Sequence, residues 1–148
     1  MAFKQGFFKP KNPTKYKGDA TQIVYRSGWE LRLMSYFDMH EDVLWWSSEE
    51  KIIPYRSPVD NKIHRYFPDF LINIKNKEGK TETVMIEVKP KSQTKEPKRP
   101  SKVTKKYINE VFTYGVNQNK WKAAEEFCAD RGWRFMIMTE EEIFGKKS

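Results

Sequence analysis

Cysteine is nearly absent from this chain: one residue, Cys128, stands among 148. No internal disulfide and no cysteine-based zinc cluster can therefore form. Cys128 lies in an Ala/Phe-rich helical pattern and reads as a small buried hydrophobe. The two histidines, His40 and His64, receive no role, because a lone histidine is more often a surface or packing residue. No apolar run approaches the roughly 20 residues needed to span a bilayer, and no signal-peptide core is visible. The chain is expected inside the cell, or within a particle made there. Acid is also in deficit. Twenty Asp and Glu face 28 Lys and Arg, a net charge of +8 and a pI near 9.5. Such an excess suits a polyanionic partner, most often nucleic acid, with simple solubility as the alternative. Aromatics reach 15 %, so this is not the composition of a disordered tail. The length fits one domain with a sizeable core.

What is present centres on Phe67-Pro68-Asp69-Phe70 and Val84-Met85-Ile86-Glu87-Val88-Lys89. Asp69 opens one strand-like run, and Glu87 and Lys89 close another. Residues two apart on a strand share a face, so carboxylate and ammonium stand side by side while Val84, Ile86 and Val88 point to a core. A carboxylate there can hold a hard divalent cation, and a lysine can orient water or meet a phosphate. Taken singly, each half has a plainer explanation. Pro-Asp often begins a turn, and Glu-x-Lys is often a solvated strand face.

Residues 1–20 carry Lys4, Lys9, Lys11, Lys15 and Lys17 among prolines and glycines, with Phe3, Phe7, Phe8 and Tyr16. No regular element is expected there. A basic aromatic arm can follow a phosphate backbone; the alternative is a flexible terminus whose aromatics pack on the domain. Residues 25–39 show helical spacing through Trp29, Leu33, Met34 and Phe37. Ser27 and Glu30 fit a capping box. Glu30 also lies on the inward stripe, where a carboxylate is costly without a partner, so a site role is preferred over the cap. Short strands follow around 43–46 and 52–55, then one within 63–74 and its hairpin partner at 81–89. Between 89 and 106 the basic residues Lys89, Lys91, Lys95, Lys98, Arg99, Lys102, Lys105 and Lys106 face one acid, Glu96. This loop could hold a nucleic-acid backbone through salt-sensitive contacts, or be a solvated linker. A first helix over 102–112, a second over 120–131 with Asn117 as its N-cap, a buried strand over 133–138 and a short acidic-capped helix complete the pattern.

The paired Pro68-Asp69 and Glu87-Val88-Lys89, with Glu30 on the preceding helix, resemble the PD-(D/E)xK nuclease superfamily. The resemblance covers roughly residues 23–142. It implies an α/β (α+β), restriction-endonuclease-like α-β-β-β-α-β core, a mixed central sheet flanked by helices. The division is then a basic, partly flexible arm over 1–22 and a nuclease-like domain over 23–148, with a basic loop at 90–106. It further implies hydrolysis of DNA phosphodiester bonds with Mg²⁺, or Mn²⁺ in its place. Catalysis falls to Glu30, Asp69, Glu87 and Lys89. The metal is held by Asp69, Glu87, the Val88 carbonyl and Glu30, and DNA by Lys91, Lys95, Lys98, Arg99, Lys102, Lys105 and Lys106. Within the superfamily the small lysine-rich chain is similar to the head-completion nucleases of tailed phages and, more distantly, to Tn7-type transposition endonucleases. That implies head or portal proteins as partners, and a place in the host cytoplasm during assembly or in the virion. The rival readings are a non-enzymatic DNA-binding virion protein and a Holliday-junction-resolvase-like nuclease.

Overall fold

The computed structural model describes residues 5–145; Phe3 and Lys4 of the basic segment lie outside them. The centre is a four-stranded mixed sheet, made of β3 (Val43–Ser48), β6 (Phe70–Lys75), β7 (Thr81–Val88) and β8 (Arg134–Met138). The first three pair antiparallel in that order, and β8 lies parallel to β7. Helix α1 (Gly28–Met39) covers one face. Its Leu33, Met34 and Phe37 pack with Trp46, Phe70, Ile72, Val84 and Ile86. Helix α2 (Lys105–Asp130) covers the other, where Trp121, Ala124 and Cys128 meet Leu71 and Met85. Both faces of β7 are thus buried, which is why its sequence runs almost continuously apolar from Val84 to Ile86. A separate hairpin of β4 (Ile53–Arg56) and β5 (Ile63–Tyr66) packs on the α2 side, and α3 (Glu140–Phe144) closes the α1 side through Ile143. The α-β-β-β-α-β order and the restriction-endonuclease-like layering expected from the resemblance are present. Among the described residues no helix is long and apolar enough to cross a membrane.

Four local expectations are corrected. The first helix begins at Gly28, after the Ser27 cap, and not at Tyr25. Tyr25 instead belongs to β2 (Val24–Tyr25), paired with β1 (Gly6–Phe7). Residues 63–74 form two strands, because Pro68 has no N–H to give a ladder and the chain breaks before Phe70. The two helices expected over 102–131 are one helix of 26 residues, capped by the Thr104 hydroxyl. The single Gly115 inside it costs only about 1 kcal/mol relative to Ala, too little to end a packed helix. Asn117 is therefore an interior, buried residue of α2 and caps nothing. Gly132, with φ of +70°, follows the helix end as expected.

The N-terminal segment contains β1, a 3₁₀ turn at Pro13–Lys15 and a buried Tyr16 edge-on to Trp46. Proline and glycine did not exclude order there, because tertiary contacts supply what local propensity lacks. Asp38 is the main anchor. It is 2 % exposed and accepts from the backbone N–H of Lys11 at 2.8 Å and of Asn12 at 3.0 Å. Lys15 adds a hold on the end of α1, through the carbonyls of Asp38 and His40. Asp38→Ala leaves two amides without their acceptor and is expected to destabilise the fold by about 2–4 kcal/mol. A urea midpoint equal to that of the wild type would remove this anchor.

Candidate active site

The site lies where β6 and β7 diverge, in a cavity of about 430 Å³ bounded by Arg26, Glu30, Asp69, Glu87, Lys89 and Gln93. The divergence follows from Pro68. Asn76 N–H donates to the Lys80 carbonyl, which sets the phase of the β6–β7 ladder. Carrying its register two residues past Phe70–Ile86 brings Pro68 opposite Val88. Proline offers no N–H there, so the Val88 carbonyl loses its ladder donor. The Val88 N–H turns instead to Asp69, donating to Oδ2 at 2.7 Å. Asp69 is also held by its carbonyl, which accepts from Glu49 N–H at 3.1 Å. Glu49 adopts φ of +55°, a left-handed conformation that a non-glycine residue takes at some cost. It also pairs with Arg26 at the cavity lip, 3.2 Å apart.

Asp69 and Glu87 come together at the cavity, close enough for each carboxyl to act on the other. Burial and, for Asp69, the neighbouring Glu87 push both carboxyls above the ordinary carboxylate range. A half-buried Asp69 and a buried Glu87 this close suit a hard, oxygen-seeking cation, whose charge would offset the repulsion between their oxygens. Lys89 stands 3.8 Å from Glu87 Oε2 and is 28 % exposed. Tyr66 donates to Glu87 Oε1 at 2.7 Å, and its own hydroxyl is held far from ionisation by burial and that carboxylate. Lys120 of α2 approaches from the opposite layer, 5.6 Å from the Tyr66 ring centre. Burial lowers its pKa and Glu87 partly offsets that effect.

Glu30 lines the same cavity and is 8 % exposed. The cap and the site prove compatible. Ser27 Oγ accepts from Glu30 N–H at 3.2 Å, while Glu30 Oε2 accepts from Arg26 N–H at 2.8 Å. Burial raises the Glu30 pKa, and the Arg26 amide works against that rise. Among the described residues no three His, Cys, Asp or Glu side chains are arranged to hold an ion by themselves. Asp69 and Glu87 are the close pair, and Glu30 faces them across the cavity.

The basic loop leaves directly from Lys89. Lys91 is committed to α3: its N–H donates to Glu140 at 2.7 Å and its ammonium pairs with Glu141. Lys95, Lys98, Arg99 and Lys102 are exposed, and Lys105 and Lys106 lie in the first turn of α2. Sequence reasoning missed Tyr66, Lys120 and Gln93. Lys120 carried a signal, lying four residues before the buried Ala124 and three after Asn117. Tyr66 and Gln93 carried none, since their places depend on the break at Pro68 and on the fold of the loop.

Comparison with known proteins agrees with this geometry. A family model for the TnsA-like endonuclease N-terminal domain matches residues 40–140, a span that holds Asp69, Glu87 and Lys89 and leaves Glu30 outside. The chain is also 38 % identical over 145 residues to the head completion nuclease of Enterobacteria phage T4, covering 95 % of this chain and 93 % of that protein. With two carboxylates and a lysine at the fork of its sheet, the chain belongs to the TnsA-like endonucleases, of PD-(D/E)xK type.

Proposed function

We propose that the chain is a Mg²⁺-dependent DNA endonuclease that acts as a phage head is completed. The observation that carries this reading is the half-buried Asp69 set against the buried Glu87 beside Lys89. Asp69 and Glu87, with the Val88 carbonyl that Pro68 leaves free, are the groups that would hold the ion, and Glu30 would contribute through water. When bound, the ion supplies Lewis-acid activation of water and offsets charge that builds on the phosphate.

The protein's own groups do the rest. Lys89 orients the attacking water or takes its proton, and its charge opposes that of the phosphate. Water oxygen bonds to phosphorus as the bond to the leaving sugar oxygen breaks, and that oxygen takes up a proton. Tyr66 and Lys120 keep the Glu87 carboxylate in place and in charge balance. Lys95, Lys98, Arg99, Lys102, Lys105 and Lys106 are assigned to the DNA backbone, with Lys91 as a brace for the loop. Two lysines in the first turn of a helix with no acid there are poorly placed against the helix dipole. They are well placed to share a phosphate with the free N–H groups of that turn.

The test is a supercoiled plasmid incubated with the protein. Nicked or linear DNA is expected with Mg²⁺ and intact plasmid with EDTA. Tight DNA binding with no cleavage in either case would favour the non-enzymatic virion protein instead.

A further inference from the structure

A second cavity, of about 740 Å³, adjoins the first and is larger. Gln93 lines both. Its walls are the basic loop, with Gln93 and Lys95, and one face of α2, with Asn109, Glu110, Tyr114 and Asn117. Asn117 is the telling residue. It is 6 % exposed, yet its amide has no partner among the described residues, and it opens on this cavity. Among the described residues the side-chain atoms sealed without a partner are the indole nitrogens of Trp46 and Trp121, so the Asn117 amide stays open to the cavity and free to bond what enters it.

The lining chemistry narrows the ligand. Amides of Gln93, Asn109 and Asn117 offer paired donors and acceptors, which match the edges of nucleobases. Tyr114 offers a half-buried ring on which a base can stack. On the α2 wall Glu110 opposes a phosphate, while Lys106 one turn earlier and Lys95 on the loop side attract it. The volume lies within the range of small-molecule sites, enough for a nucleotide and water. Fully paired DNA cannot present a base edge and face into such a chamber, but an unpaired or flipped nucleotide can.

We infer that this cavity receives an unpaired nucleotide next to the scissile phosphate, so that the enzyme prefers DNA with a flap, gap or branch over continuous duplex. The inference rests on the nuclease reading above and adds a substrate class to it.

Cleavage of a labelled duplex bearing a single-stranded flap is compared with that of the same duplex fully paired, in Mg²⁺. Wild type is expected to cut the flapped DNA at least tenfold faster. Tyr114→Ala and Asn117→Ala are expected to lose most of that preference, on the order of tenfold each, as stacking and base-edge contacts are removed. Their rate on paired duplex should stay within about twofold of wild type. Asn109→Ala, at an exposed position, should lower the preference in the same direction and guards against misfolding of the buried variant. Equal rates of wild type on both substrates, or a preference kept by Tyr114→Ala and Asn109→Ala, would overturn the inference and leave the nuclease reading standing. Cleavage of neither substrate by wild type would sink both.

Discussion

Asp69→Asn is expected to lower DNA cleavage by about a thousandfold and, in the absence of divalent ions, to make the protein more stable. The first effect follows from removing one of the two carboxylates that face each other at the fork of the sheet. A thousandfold loss corresponds to about 4 kcal/mol of transition-state stabilisation, within what a misplaced or lost ion costs. The second effect follows from the sign of the pKa shift. Burial and Glu87 raise the Asp69 carboxyl above its ordinary value. Below the ordinary carboxylate range both folded and unfolded chains hold this proton, and the group costs nothing. As pH rises through that range the unfolded chain ionises freely, while the folded chain does so only at a higher pH. The fold is therefore penalised toward neutrality. Asparagine keeps an oxygen for the Val88 N–H and removes the charge. The melting temperature in EDTA at neutral pH should rise by roughly 3–8 °C. Cleavage within tenfold of wild type would reject Asp69 as part of the reaction centre; an unchanged or lower melting temperature would reject the strained pair.

Lys89→Met should lower cleavage by about 10²–10³-fold while leaving divalent-ion binding nearly unchanged. The substitution keeps the apolar stem of this partly shielded side chain and deletes only its ammonium. A positioned acid–base or charged group is commonly worth about 10²–10⁴ in rate. Lys120 approaches Glu87 from another layer and does not occupy the same position, so it should not restore the rate. Lys89→Arg keeps a charge but replaces a compact ammonium with a planar fork, and should recover only part of the loss. Ion affinity by calorimetry and cleavage under saturating Mg²⁺ separate the two roles. A Lys89→Met rate within threefold of wild type would strip this lysine of its place in the chemistry.

The division between what could and could not be read from the residues has a physical pattern. Asp69, Glu87 and Lys89 were legible because two short segments hold them, and strand periodicity fixes their facing. Glu30 was legible because a carboxylate on an apolar helical stripe needs a reason. The long helix was not, since Gly115 and Asn117 both favour a break locally and only packing against β4 and β8 overrides them. The order of the N-terminal segment was hidden for the same reason: it depends on Asp38, more than 20 residues away along the chain. The amide-lined chamber was hidden twice over, because it needs both the unbroken helix and the folded loop.

Strand β7 is flanked on one side by β8, whose residues come some 50 positions later, and the backbone of Lys89 just past it is fastened to Met138. A polypeptide still emerging from the ribosome thus lacks the neighbour that pins the end of β7, where Glu87 and Lys89 sit. The sheet around the candidate site is therefore complete only after residues 134–138 have docked.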